Sequence, residues 1–183
     1  MQGAVLEHIE MLAKLGANPL WVREPEELEM VSALVIPGGE STTISRLMLE
    51  SRIFGRVREL GEGGLPILGT CAGLILLAKK GDAQVRKTEQ KLLGLMDTKI
   101  TRNAFGRQRE SFEIHLDIGE IKNFPCVFIR APGIEEVYGK CEALARLEKF
   151  IVAARQENLL AVSFHPELTE DARLHEYFLK EVC

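Results

Sequence analysis

Short apolar runs alternate with helical stripes along the first half of the chain. Val5, Ile9 and Leu12 recur at the spacing of one helix face, and Gly16 offers a stop before Asn18-Pro19. Leu20-Trp21-Val22 reads as a strand, and Ala33-Leu34-Val35-Ile36 as another, ended by Pro37-Gly38-Gly39. Ser41-Thr42-Thr43 then supplies helix-capping residues. Pro66-Ile67-Leu68-Gly69 forms a further short strand, with an apolar helix predicted over residues 72–80 directly after it. Residues 81–91 are polar and charged, and read as a surface loop or a frayed helix end.

The second half changes character. Phe112, Ile114, Leu116 and Ile118 alternate with polar residues, the mark of a half-buried strand. Val127-Phe128-Ile129, Phe150-Ile151-Val152-Ala153 and Leu160-Ala161-Val162-Ser163-Phe164 are further strand candidates. Leu174, Tyr177 and Phe178 give a closing helix its apolar face. Strands alternating with helices predict an α/β fold: an open, mostly parallel central sheet flanked by helices in flavodoxin-like layers, with some antiparallel strands in the second half. The 183 residues suit a single domain spanning 1–183.

Bulk properties narrow the class. No apolar run of about 18 residues suggests a membrane span. The N-terminus lacks a secretory signal pattern, which predicts a cytosolic, cytoplasmic protein. The net charge of −4, with basic residues scattered among acids, argues against a nucleic-acid partner. Cys71, Cys126, Cys141 and Cys183 lie far apart with no C-x-x-C pair, so neither a zinc site nor a disulfide framework is expected.

Candidate chemistry concentrates at predicted strand ends. Gly69-Thr70-Cys71-Ala72-Gly73 has the form G-x-nucleophile-x-G between a strand and a helix. Such a turn holds its nucleophile in a strained conformation, and a helix N-terminus behind it favours thiolate. On its own the match is better read as a buried structural cysteine beside a tight turn, since short motifs recur by chance. His165-Pro166-Glu167 follows another strand, at the kind of end where open α/β sheets place ligands. His165 is a candidate base for Cys71, and Glu167 the acceptor that orients it. Pro37-Gly38-Gly39-Glu40-Ser41 adds a third strand end, where backbone N–H groups can turn toward an oxyanion. His8, His115 and His175 lack a comparable context and are read as ordinary structural or surface histidines.

The chain resembles the glutaminase subunits of pyridoxal 5′-phosphate synthase, class I (triad) glutamine amidotransferases. The resemblance rests on Gln2-Gly3-Ala4-Val5, Pro37-Gly38-Gly39-Glu40-Ser41-Thr42-Thr43 and Gly69-Thr70-Cys71-Ala72-Gly73-Leu74. It continues in Arg102-Asn103-Ala104-Phe105-Gly106-Arg107-Gln108, Phe128-Ile129-Arg130-Ala131-Pro132 and Ser163-Phe164-His165-Pro166-Glu167-Leu168. It implies hydrolysis of L-glutamine by Cys71, His165 and Glu167 through a cysteine thioester. It also implies an oxyanion site at the backbone N–H groups of Gly39 and Ala72, and a glutamine site at Gly39, Glu40, Ser41, Arg102, Ile129 and Arg130. A guanidinium suits the α-carboxylate, with Arg102 and Arg130 both open as its donor. The implied partner is a synthase (lyase) subunit that receives the ammonia; no metal or organic cofactor is implied.

Two catalytic alternatives stand behind this reading, besides a non-catalytic regulatory subunit of the same fold, against which the intact Cys71, His165 and Glu167 argue. One is a glutaminase subunit of another amidotransferase pathway, which would lack the R-N-x-F-G-R-Q segment. The other is a cysteine hydrolase or stress protein of the related α/β class, which would lack the H-x-E pair. The family also carries a short apolar strand before its L-Q-G-A-V segment, whereas this sequence starts at Met1-Gln2-Gly3. A strand upstream of Gln2, near the middle of the sheet, is therefore expected.

Overall fold

The computed structural model describes residues 3–106 and 111–183. Helix α1 (Val5–Lys14) opens the chain, and a 3-10 turn (Pro25–Met30) leads to strand β1 (Leu34–Ile36). Helices α2 (Ser41–Glu50) and α3 (Ile53–Glu62), strand β2 (Ile67–Thr70) and helix α4 (Ala72–Leu77) follow. Then come β3 (Ala78–Lys80), α5 (Ala83–Lys87), β4 (Met96–Thr101), β5 (Ser111–Ile118), β6 (Ile121–Ile129) and β7 (Gly133–Val137). The chain ends with β8 (Glu142–Leu147), β9 (Phe150–Gln156), β10 (Leu159–Val162), a 3-10 turn (Pro166–Leu168) and α6 (Arg173–Tyr177), which runs into a π-helical turn (Phe178–Val182).

Among the described residues the main sheet runs β1-β2-β10-β9-β7-β4-β3, with β8 paired to β9. Strands β1, β2 and β10 are parallel, while β9 joins β10, β7 and β8 antiparallel. The expected helix-flanked α/β sheet is present, with its antiparallel strands in the second half. Alternation explains why it is buried on both faces. Ile36, Ile67, Leu159 and Ala161 enter one core with the helices α2, α3 and α4. Leu68, Leu160 and Val162 point the other way, toward Phe124, Phe128, Phe164 and Phe178.

Several elements differ from the sequence reading. Leu20-Trp21-Val22 carries no regular secondary structure and belongs to no strand. A cavity of about 550 Å³ lies between it, α1 and β1, lined by Val5, Ile9, Leu12, Trp21 and Leu34 among others. Across that gap the two backbones cannot share hydrogen bonds. The predicted stripe Val5-Ile9-Leu12 accordingly borders the cavity, and the buried residues of α1 are His8 and Met11. The helix expected over 72–80 ends at Leu77, because Ala78–Lys80 is captured as β3 by pairing with β4. The 81–91 stretch contains α5, capped by Asp82 Oδ1 accepting from the Val85 N–H at 2.9 Å. Strand β5 pairs with β6 in a separate two-stranded sheet, where Phe112 stacks on Phe128 with ring centres 4.8 Å apart. Of the N-terminal motif, Gln2 lies outside the described residues, as do Arg107 and Gln108.

Candidate active site

The parallel strands end in step. Ile36 of β1 is level with Gly69 of β2, and Thr70 with Val162 of β10. The segment after each strand therefore emerges on the same edge: Pro37-Gly38-Gly39 after β1, Cys71 after β2, and His165 three residues beyond β10. A backbone hydrogen bond from Cys71 N–H to the Val162 carbonyl, at 2.8 Å, ties two of these ends together.

Cys71 is the N-cap of α4 and has φ 48° and ψ −98°, a strained conformation for a non-glycine residue. Such strain costs about 1–3 kcal/mol and needs rigid surroundings to persist. Here the surroundings are glycines in close approach. A Cβ on Gly73 would sit 2.1 Å from the Ile36 carbonyl oxygen, and one on Gly69 would sit 2.7 Å from the Gly73 backbone. The glycines flanking the cysteine thus let the first turn of α4 lie directly on β1 and β2.

His165 is held at the backbone by its N–H donating to the Val127 carbonyl of β6 at 2.8 Å. Pro166 starts the 3-10 turn that swings Glu167 back, and Glu167 Oε1 accepts from His165 Nδ1 at 2.8 Å. That bond leaves Nε2 for Cys71. The Glu167 side chain has no solvent exposure, and that of His165 only 9%. Burial alone would lower the imidazole pKa; hydrogen bonds to Cys71 and Glu167, and their charges, outweigh it and raise His165 to about 10. The site favours an imidazolium poised between a sulfur and a carboxylate. A Cβ on Gly38 would come 2.3 Å from His165 Cε1, so glycine there makes room for the ring. Gly39 follows at φ 151°.

A polar cluster adjoins this group. Arg102 Nη2 donates to Glu40 Oε1 at 3.2 Å, and its Nη1 to Thr42 Oγ1 and Gln90 Oε1 at 3.3 Å each. Ser41 Oγ donates to the same Gln90 oxygen at 3.2 Å. Glu40 also caps α2, accepting from the N–H groups of Thr42 and Thr43 at 3.1 and 2.6 Å. Burial would raise its carboxyl, but the bonds from Thr43 and Thr42 prevail and hold it at about 2. Asp82 takes the Arg102 backbone N–H at 2.7 Å. Ile129 is half-buried and Arg130 exposed at φ 43°, at the end of the strand that also anchors His165. Ala104 N–H donates to the Ala131 carbonyl at 3.0 Å, so the Arg102 and Arg130 segments adjoin.

The sequence reading missed four participants. Gln90 and Asp82 lie in the stretch read as a surface loop or frayed helix end, yet fix Arg102. His8 and His175, read as ordinary, are buried behind Glu167: His8 Nε2 is 3.3 Å from Glu167 Oε2, and His8 Nδ1 is 2.9 Å from His175 Nε2. His115 is exposed, as read. Among the described residues no group of His, Cys, Asp and Glu could hold a metal ion, and no helix is long and apolar enough to cross a membrane.

Comparison with solved structures places the fold. A crystal structure of a glutamine amidotransferase superposes with a TM-score of 0.91 at 48% identity, over 98% of this chain and 94% of that one. PurLQS from Thermotoga maritima shares the fold alone, with a TM-score of 0.66 at 15% identity, over 97% and 92% of the two chains. The fold is that of the class I glutamine amidotransferases. The chain belongs to the SNO glutamine amidotransferase family, whose model matches residues 1–183. It is 52% identical over 186 residues to the pyridoxal 5′-phosphate synthase subunit PdxT of Archaeoglobus fulgidus, covering 98% of this chain and 94% of the relative. The PdxT of Pelotomaculum thermopropionicum is 55% identical over 184 residues, covering 99% and 91%.

Proposed function

We propose that this chain is a glutaminase: it hydrolyses L-glutamine to L-glutamate and ammonia and passes the ammonia to a pyridoxal 5′-phosphate synthase subunit. The single observation that carries the chemistry is the Cys71–His165–Glu167 line, with the thiol, the imidazole and the carboxylate on aligned strand ends and the His165–Glu167 bond at 2.8 Å.

The geometry supports the following steps. The Cys71 thiolate adds to the side-chain amide carbon of glutamine, and the carbonyl oxygen becomes an oxyanion facing the backbone N–H groups of Gly39 and Ala72. Collapse expels the amide nitrogen, which leaves as ammonia after taking a proton from His165. The product on the enzyme is a γ-glutamyl thioester. Water then attacks the thioester while His165 takes its proton, and the second collapse releases glutamate and the Cys71 thiolate. Glu167 orients the imidazole throughout and stabilises its cationic form.

Glu40, Ser41, Arg102, Ile129 and Arg130 are the proposed glutamine contacts. Arg102 is already engaged by Glu40 and Gln90, whereas Arg130 is exposed and held in a left-handed conformation at the strand end. That contrast favours Arg130 for the α-carboxylate and Arg102 for shaping the pocket. The partner assignment is supported by the PdxT relatives at about half identity over nearly the full chain. Four unbridged cysteines fit a reducing, cytosolic setting.

The test is ammonia release from glutamine by the purified chain, alone and with a synthase subunit. Release that requires Cys71 and supports pyridoxal 5′-phosphate formation in the presence of the synthase is expected. No release under either condition rejects the reading.

A further inference from the structure

The triad does not stop at Glu167. Its Oε2 faces away from His165, is fully buried, and has no closed hydrogen bond. His8 Nε2 lies 3.3 Å from it, a loose contact, and is also 3.3 Å from Thr70 Oγ1. Thr70 itself directly precedes the nucleophile. Behind His8, its Nδ1 meets His175 Nε2 at 2.9 Å, with the two ring centres 5.1 Å apart. His8 comes from α1 and His175 from α6, so the two helices meet at the back of the site. His8 has 3% of its surface exposed and His175 none.

The direction of this chain of contacts follows from donor and acceptor counting. Burial, with the nearby His175 and His165 charges, lowers His8 to about 3, and burial lowers His175 to about 4; both rings are neutral near pH 7. A neutral imidazole has one donor and one acceptor nitrogen. In one direction His175 Nε2–H donates to His8 Nδ1, and His8 Nε2–H points at Glu167 Oε2 and Thr70 Oγ1. His175 Nδ1, which has no partner, is then a bare lone pair. In the reverse direction that same nitrogen is a buried, orphaned N–H, and His8 turns a lone pair toward a carboxylate. Orphaned donors are the rarer and costlier case, so the first direction is selected.

We propose that His8 is a positioning residue of this site, holding the second oxygen of Glu167 through its Nε2–H, while His175 fixes the His8 tautomer that can donate. A carboxylate held at both oxygens cannot swing away from His165 Nδ1. The His165 imidazolium then keeps its acceptor while the Cys71 thiolate adds and until its proton passes to the leaving ammonia. This rests on the proposed roles of Cys71, His165 and Glu167, and extends the site by two residues that touch neither substrate nor thiol.

The test compares His8→Leu, His8→Gln, Glu167→Gln and Cys71→Ala, each as the full chain with the synthase subunit added. Glutamine places an amide N–H where His8 Nε2 lies; leucine fills the volume without a donor. His8→Leu is expected to lower kcat about 10- to 100-fold with KM for glutamine little changed, by analogy with the loss of groups that orient a site's primary residues. The alkaline limb of its kcat/KM profile is expected to move to lower pH, toward that of Glu167→Gln, because a loosened carboxylate no longer holds the His165 proton. His8→Gln should restore kcat to within about threefold of the parent, along with the parent pH profile. A general packing defect would not move the alkaline limb. Parent-like kcat and pH profile in His8→Leu, or a His8→Gln protein as impaired as Glu167→Gln, overturns the proposal. If His8→Leu does not fold, the His8→Gln outcome alone decides. Activity retained in Cys71→Ala would instead overturn the triad reading beneath it.

Discussion

Replacing His175 with glutamine isolates the consequence of burying a neutral histidine. Glutamine keeps an N–H for His8 Nδ1 but does not titrate. In the folded chain burial lowers the His175 imidazole to about 4, whereas in the unfolded chain it takes an ordinary value near 6.5. As pH falls below 6.5 the unfolded state binds a proton that the folded state refuses until about 4, so stability present above 6.5 is lost as pH falls through that window. From 6.5 to 5 is a span of about 1.5 pH units, and at about 1.36 kcal/mol per unit the parent loses about 2 kcal/mol that the variant does not. His8 contributes a loss of the same sign in both proteins, so the difference between them reports His175. Urea unfolding of parent and His175→Gln at pH 7 and pH 5 measures it. The expected result is a midpoint that falls further in the parent than in the variant, with unchanged slope. Equal pH dependence in the two proteins would mean that His175 is not held neutral, and would refute the reasoning.

Other consequences are open to direct measurement. His165→Asn should remove nearly all glutamine hydrolysis and Glu167→Gln a smaller share, since orientation contributes less than proton transfer; equal small effects would place the base elsewhere. Gly38→Ala should displace the His165 ring, 2.3 Å from the new methyl, and abolish turnover without unfolding the chain; steady-state rates near the parent's would show that the ring can give way. The isolated chain should be a weak glutaminase whose kcat rises on adding the synthase, because a peptide between Gly38 and Gly39 can turn its N–H away from the oxyanion, a loss of about 10²–10³ in rate. Full activity without the synthase would end that gating idea.

The sequence revealed most where chemistry and local geometry coincide. Gly69-Thr70-Cys71-Ala72-Gly73 is legible because a strained turn, close glycines and a helix start all fall within five residues. His165-Pro166-Glu167 is legible because a proline-started turn brings the carboxylate back to its own histidine. Strands β2, β9 and β10 were readable from continuous apolar runs buried on both faces. What stayed hidden depends on pairing between distant residues. Ala78–Lys80 leaves its helix only because β4 is available as a neighbour, and Leu20-Trp21-Val22 fails to become a strand because a cavity separates it from β1. His8 and His175 lie 167 residues apart, each looking unremarkable on its own helix until α1 and α6 pack behind Glu167. Gln90 sits in a charged stretch whose local pattern gave no sign that it would be buried against Ser41 and Arg102.

The four cysteines permit one direct test of the central claim. Burial pushes the Cys126 thiol up to about 12 and Cys141 to about 11, and raises Cys183 as well; Cys71 is the one that faces His165. A glutamine-derived diazo-ketone reports both recognition of the substrate and the reactive sulfur, because it must occupy the glutamine site before it alkylates. Mass mapping after treatment with this analogue, in the presence of the synthase subunit, should find one adduct, on Cys71, formed in step with the loss of ammonia release and slowed by excess glutamine. An adduct on Cys126, Cys141 or Cys183 with Cys71 unmodified, or full labelling of Cys71 with hydrolysis intact, would contradict its role as the nucleophile.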